Sequence, residues 1–371
     1  MVEARQQAWK LTPFERWVES EELQVIATHT VPDIFTEPLD EWRRTGCRAA
    51  LLDLSHDHQK DRMVTNQGFI RYLVEIPPGG TFRAERHMYE EIFYVVEGRG
   101  AATIWYDGGP KQTFEWHEDS VFSIPLNAWH EIYNASGTEP VRLYGATNMP
   151  GIFNLFGSAD FVFNCTSTFP ERFDPTDEMY FSGKTNRLAD RLMEMNFIPS
   201  ITTMLLDRWV ARGPGTNMFV IMAGGRLICH VSEFPPASYK KGHNFGADSQ
   251  AKTPRGGQQT DTSYLFLSGE GYDLQWAPGA VPGPGVDFTR YNFKRGSLMS
   301  NGHGGHQHFN PSADPARYLV FRPGNPAFTG GGVRAGDGSA QIEFKDQDPR
   351  IHELFEAECA KNGTTPSLPE D

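Results

Sequence analysis

Cysteine is scarce and scattered: Cys47, Cys165, Cys229 and Cys359 are the four in the chain, and no two form a CxxC pair. Such spacing provides neither a zinc knuckle nor a disulfide framework, so the four read as reduced, structural thiols of an intracellular protein. Long apolar runs are missing too, and none approaches the ~20 residues that a membrane-spanning helix requires. Positive charge is in deficit. With 34 Lys and Arg against 47 Asp and Glu, the net charge is −13. Nucleic acid and anionic membrane surfaces are therefore excluded as partners, because phosphate binding needs a basic field. A local basic pocket for an acidic substrate stays open. No basic segment followed by an apolar one opens the chain, so the sequons at Asn134, Asn164 and Asn362 read as accidental. The expectation is a soluble, cytoplasmic protein.

What the chain has in quantity is glycine and proline, 37 and 26 residues, with short apolar runs between them. That pattern predicts many short strands joined by turns. A length of 371 residues suits two domains. A hydrophobic share of 39% with 12% aromatics is enough for real cores.

The chain also repeats itself. IPPGGTFRAERH (76–87) resembles FPPASYKKGHNF (234–245), and YVVEGRG (94–100) resembles LFLSGEG (265–271). The stretch 129–148 pairs with 305–325, matching His130 with His306, Asn134 with Asn310, Pro140 with Pro315 and Arg142 with Arg317. Thr12-Pro13-Phe14-Glu15 predicts an N-cap, a first-turn proline and a capping-box Glu, hence a short helix from Pro13. RLADRLMEMNF (187–197) has helical spacing, and DPRIHELFEAECAK (348–361) predicts a second helix. The polar segment 246–261 is inserted where the first copy has only three residues, between His87 and Glu91. A loop over a barrel mouth and an insertion without a role are both open readings.

The chemistry concentrates in 79–98 and 119–134. Gly79, His87, Glu91 and Gly98 are followed by Pro125, His130 and Asn134, and these spacings closely resemble the two metal-binding motifs of the cupin family. Glu85 stands where the first motif usually has a His, and Asp119 and Asn127 replace glycines of the second. The resemblance, covering about 60–330, implies an all-β fold: two cupin (double-stranded β-helix, jelly-roll) barrels in tandem with a few flanking helices. The implied division is 1–46, N-terminal helix and extension; 47–150, first cupin domain with the metal site; 151–215, connecting segment; 216–330, second, degenerate cupin domain; 331–371, C-terminal helix and tail. Gentisate 1,2-dioxygenase-like bicupins are among the chains it resembles.

His87, Glu91, His130 and Glu85 are the expected ligands of a divalent metal. Two imidazoles and a carboxylate with open positions suit Fe(II), which is preferred, with Mn(II) or Zn(II) as alternatives. Glu85 is either a ligand or an acid/base beside the metal, unless it only pairs with Arg83 or Arg86. Side chains two apart on a strand share a face, so Arg83, Glu85 and His87 are expected to point together. Arg83 and Glu85 are then the catalytic candidates, with Arg86, Phe93 and Trp129 binding substrate. In the second copy Glu85 falls opposite His243 and Glu91 opposite Thr262. His243, His306 and His308 make a possible second metal site there, or are hydrogen-bonded histidines of a barrel kept for packing.

The expected activity is a non-haem iron dioxygenase acting on a small hydroxylated aromatic or oxo acid. The alternatives are a redox-neutral Mn- or Zn-dependent lyase, decarboxylase or isomerase, and a non-enzymatic small-ligand-binding cupin. The partner is a small aromatic or acidic molecule, and the family resemblance implies a homo-oligomer, a dimer.

Overall fold

The computed structural model describes residues 11–54, 63–64, 67–244, 262–277, 287–300, 305–324 and 341–368. The inserted segment 246–261 lies outside them.

The first helix spans Pro13–Ser20 and starts as its sequence predicts. Thr12 Oγ1 accepts from the Glu15 amide at 3.2 Å, and Glu15 Oε2 accepts from the Thr12 amide at 2.7 Å. Phe14, Trp17 and Val18 bury one face of it. The C-terminal helix, Pro349–Lys361, is capped by Asp348. The helix expected over 187–197 does not form. Asn186–Ala189 and Leu192–Glu194 pair as an antiparallel hairpin instead. Arg191 takes a left-handed φ of 57°, which ends any helix there, and its amide donates to Asp207 at 2.9 Å.

Short strands build two barrels on one plan. In the N-terminal barrel the larger sheet orders Cys47–Asp53, Ile70–Ile76, Val141–Thr147, Glu91–Glu97 and Val121–Ile124. Its smaller sheet orders Thr81–Glu85, Trp129–Asn134, Arg99–Trp105 and Gln112–His117. The C-terminal barrel repeats this order with Thr216–Ile221, Leu227–Phe234, Ala316–Pro323, Ser263–Ser268 and Leu298–Ser300. The barrels also exchange strands: Thr30–Val31 pairs with Leu298–Ser300, and Phe197–Ile198 pairs with Val121–Ile124. The larger sheets share one apolar core, in which Tyr144 and Phe321 stack at 5.7 Å. No described helix is long and apolar enough to cross a membrane.

The repeated landmarks do the same work twice. Asn134 Nδ2 donates to the carbonyls of Ile76, Pro77 and Glu139, while Asn310 Nδ2 donates to those of Pro235 and Asp314. Arg142 reaches the carbonyls of Ile34 and Glu37, and Arg317 those of Ile201 and Met204. The motif glycines replaced by Asp119 and Asn127 are left-handed positions, at φ 69° and 56°. Asn and Asp tolerate that region better than other side chains. Both are also tied down: Asp119 accepts from Tyr94, and Asn127 donates to the Cys165 and Ser167 carbonyls.

Asn134→Ala strands three carbonyls at a turn, and it should lower stability by about 1–3 kcal/mol. Urea unfolding of variant and wild type measures this. An unchanged midpoint would mean that the turn holds without the side chain.

Candidate metal centre

His87 follows the end of strand Thr81–Glu85, Glu91 opens the next strand and His130 is the second residue of Trp129–Asn134. Strand pairing sets Glu85 opposite His130. Ligand atoms of Glu85, His87 and His130 lie within 4.8 Å of one another, all buried. Glu91 joins from the larger sheet, with Oε2 3.3 Å from His87 Nε2.

The surroundings fix what each group offers. His87 Nδ1 donates to the Tyr89 carbonyl at 2.9 Å, so Nε2 carries the lone pair. Tyr89 also stacks on the His87 ring at 3.6 Å. His130 Nδ1 lies 3.3 Å from the Ala128 carbonyl, which likewise leaves Nε2 as the acceptor. The Tyr72 hydroxyl donates to Glu91 Oε1 at 2.6 Å. His87 Nε2, His130 Nε2 and Glu91 Oε2 are buried with no hydrogen-bond partner among the described residues. Lone pairs that face each other in a dry interior repel unless a proton or a cation sits between them. This donor set fits a divalent ion.

Burial shifts the titrations to match. Desolvation holds His87 down at about 4 and His130 at about 3, so both imidazoles are neutral. The His87–Glu91 contact is therefore not an ion pair. Desolvation pushes Glu91 up to about 7, against the pull of His130 and Tyr72. Glu85 is also raised by burial, opposed by Arg44, whose Nε donates to Glu85 Oε2 at 3.0 Å.

Several expected neighbours sit elsewhere. Arg83 is exposed and donates to the Arg43 carbonyl at 2.7 Å, away from Glu85. The cause is a bulge: His130 pairs with Glu85 but Ile132 with Phe82, so one extra residue reverses the alternation between 82 and 85. Phe82 and Glu85 thus face inward and Arg83 outward. Arg86 pairs with Asp107 at 2.6 Å and covers the Trp129 ring at 4.9 Å. Trp129 lies on the opposite face from His130, stacked on Trp105 at 6.1 Å, so this trio is an outer cluster. Phe93 is core, packed on Tyr72 and Phe122. Glu85's cation is Arg44 rather than Arg83 or Arg86. Arg44, Tyr72 and Tyr89 are the contributors that the motifs did not indicate. Tyr89, two residues after His87, had a signal in its position; Arg44, in a turn, had none.

In the C-terminal barrel, His243 pairs in register with His306, as Glu85 does with His130. Thr262, outside the strand ladder, stands in place of Glu91. The rings of His306 and His308 are 4.9 Å apart and buried; His306 Nε2 has a hydrogen-bond partner, whereas His308 Nδ1 has none among the described residues. The Tyr264 hydroxyl lies 2.8 Å from His306 Nε2, and Asp273 Oδ1 lies 2.8 Å from His308 Nδ1.

Comparison with known proteins finds a family match within the first barrel. Residues 72–146 match the family model described as Cupin domain. Auxin-binding protein T92 of Nicotiana tabacum is 30% identical over 87 residues, 22% of this chain and 46% of that protein. Auxin-binding protein 4 of Zea mays is 27% identical over 86 residues, 22% of this chain and 42% of its own. The chain thus spans less than half the length of the curated relatives it matches. A solved variant of Bacillus subtilis oxalate decarboxylase covers 80% of this chain and 78% of its own, at 11% identity and a TM-score of 0.47. Identity at that level transfers no chemistry. The N-terminal barrel is a cupin domain. The C-terminal barrel repeats its strand order.

A metal must displace the proton from Glu91 to bind. Affinity for Mn(II) should therefore be flat above pH 7 and weaken by about tenfold per unit below it, with one proton released per ion. Calorimetry in buffers of different ionisation enthalpy counts that proton, and a pH-independent Kd would remove Glu91 from the ligand set. Tyr72→Phe frees a lone pair on Glu91 and should cost about 10–100-fold in affinity. The same titration at pH 7.5 reads it (a pH of about 7.5 lies above the Glu91 transition).

Proposed function

We propose that the N-terminal barrel is the active site of a redox-neutral, metal-dependent lyase or decarboxylase acting on a small oxygen-rich acid. The observation that carries this reading is the pair of buried carboxylates among four converging donors, one of them held by an arginine. Glu91 is braced by Tyr72 as a ligand, whereas Glu85 is braced by Arg44 through Oε2 only. Oε1 of Glu85 is left to hold or move a proton beside the substrate. Its raised titration, from burial, favours the protonated form that such a role needs. Two imidazoles with carboxylate oxygens suit Mn(II). The ion would supply Lewis acidity to a substrate oxygen. Arg44, half-buried and packed 3.6 Å over the Phe163 ring, offers its remaining donors to a substrate carboxylate.

His87, His130 and Glu91 taken alone are two imidazoles and one carboxylate. That set favours a second reading, a non-haem Fe(II) dioxygenase of hydroxylated aromatics, with Glu85 outside the coordination sphere. The curated relatives, named as auxin-binding proteins, motivate a third: a cupin that holds a small ligand without turning it over.

One set of assays separates the three. The Mn(II)- and Fe(II)-loaded proteins are presented with small oxo acids, hydroxy acids and hydroxybenzoates while oxygen uptake and CO2 release are followed. CO2 release under argon is the expected result. Stoichiometric oxygen uptake would replace this reading with the dioxygenase, and saturable binding without turnover would leave the ligand-binding protein. Glu85→Gln should retain metal and lose about 10²–10⁴ in kcat. Loss of the metal instead would make Glu85 a ligand and end its role as proton carrier.

A further inference from the structure

Equivalent interior positions of the two barrels, matched through strand register, differ in polarity. Ile132 faces Phe82 in the N-terminal barrel. In the other barrel the Lys240 amide donates to the His308 carbonyl, which puts Lys240 in the place of Phe82. Ser232 and Tyr318, paired across the sheet, replace Val74 and Leu143, which are paired in the same way. The first interior is apolar below its metal ligands. The second has been rebuilt with a cation, hydroxyls and one acid, Asp273, which stands in the place of Ala102.

Lys240 is only 5% exposed, and its Nζ donates to Ser232 Oγ and to the Tyr318 hydroxyl, the latter at 3.1 Å. An ammonium has three protons, so one is unassigned. Arg322 projects from the same strand face as Tyr318, four residues on, and lies 5.4 Å from the Phe219 ring. Arg212 packs 5.4 Å from Trp209. Among the described residues no carboxylate pairs with Lys240, Arg212 or Arg322. Nε of both arginines is buried without a hydrogen-bond partner. Asp273, the buried acid of this barrel, accepts from Gln275 through Oδ2 at 2.9 Å, while its Oδ1 faces His308 Nδ1 at 2.8 Å and makes no hydrogen bond among the described residues.

Contacts connect Lys240 to Arg322: Lys240 Nζ donates to Tyr318, whose ring lies 6.3 Å from that of His230; His230 stacks on Phe219 at 4.3 Å, and Arg322 lies 5.4 Å from the Phe219 ring. The Arg212 charge lowers the titration of both Lys240 and Arg322, after burial itself. All three lower His230, again after burial. A lysine can relieve such crowding by losing its proton, but an arginine cannot. Charge on the buried Lys240 and on two half-buried arginines whose Nε atoms lack partners is costly, so this arrangement persists most easily with an anion among the three groups.

We propose that the interior of the C-terminal barrel is a binding site for a small oxyanion, a carboxylate or a phosphate, held by Lys240, Arg212 and Arg322 with the Tyr318 hydroxyl. This site does not depend on the chemistry proposed for the N-terminal barrel. Its ligand is recognised by charge and hydrogen bonds, with no metal between.

Calorimetric titration of the full chain with inorganic phosphate and with malonate tests this, using chloride as the ionic-strength control. Saturable binding of either anion is expected, and the stronger one identifies phosphate or carboxylate as the ligand class. Lys240→Met and Arg212→Gln should each weaken it at least about tenfold, the loss of one charge-assisted hydrogen bond. Binding should persist after EDTA treatment of the wild type, which separates this site from the metal centre. Without added anion, Lys240→Met should unfold at a temperature equal to or above that of wild type, because it removes an uncompensated charge. A purely structural lysine would give the opposite. If Lys240→Met does not fold, Arg322→Gln, at a half-buried position, serves in its place. No saturable binding of either anion, equal affinity in the variants, or loss of binding with EDTA would overturn the assignment.

Discussion

His87 Nε2 and Glu91 Oε2 lie 3.3 Å apart in the N-terminal barrel, each without a hydrogen-bond partner among the described residues. Nothing in the described protein separates them, and the surrounding structure keeps them there. The Tyr89 carbonyl fixes the His87 tautomer, Tyr72 turns Glu91, and strand pairing carries His130 to the same point. Each of these contacts is buried, so none can relax toward water. An interior that collects acceptors in this way is organised around a positive charge that it does not itself contain. The barrel can therefore be read as a device for making a cation the most favourable occupant of one small volume.

The second barrel shows which features belong to the scaffold and which to that chemistry. Asn134 and Asn310 tie equivalent turns, and Arg142 and Arg317 bind carbonyls of the segments that cross between barrels. These contacts survive in both copies because the strand order needs them. The acceptors are rearranged: Thr262 replaces Glu91, the Tyr264 hydroxyl lies 2.8 Å from His306 Nε2, and Asp273 Oδ1 faces His308 Nδ1 at 2.8 Å. Lys240 occupies the position of a core phenylalanine. One framework thus encloses converging acceptors in one copy, and a cation, hydroxyls and an acid in the other.

How much of this was legible in the chain follows from the range of each interaction. His87, Glu91 and His130 could be read because a strand, a turn and a strand impose constant spacings between inward positions. The repeat was legible because turn-closing residues such as Asn134 recur where the backbone leaves no other choice. Arg83 was misplaced because strict alternation assumes an unbroken ladder, and the bulge before Glu85 reverses it. The stretch 187–197 carries helical spacing, yet its left-handed Arg191 and pairing with Thr216–Ile221 favour strands. Arg44 left no trace in any motif. Its contact with Glu85 spans 41 residues and depends on how a turn packs against Phe163. Local rules place residues on a strand; only tertiary packing selects a counter-ion.

Glu90 shows that the two interiors are not mechanically independent. It lies between Tyr89, which stacks on one ligand, and Glu91, which is another. Its carboxylate leaves the N-terminal barrel altogether. Oε1 accepts from Arg172 at 2.9 Å, and Oε2 accepts from the amides of Arg226 and Leu227 at 2.8 and 3.2 Å. Leu227 opens the strand that also carries His230 and Ser232. The Glu90 amide is held in turn by Asn148 Oδ1 at 2.8 Å. The backbone that presents Glu91 to a metal is thus pinned to the first residue of a strand lining the cationic interior. Charge-assisted bonds to two successive amides leave that link little freedom. The degenerate barrel consequently supports the position of the metal ligands in the other one, and this constrains how far its own sequence can drift.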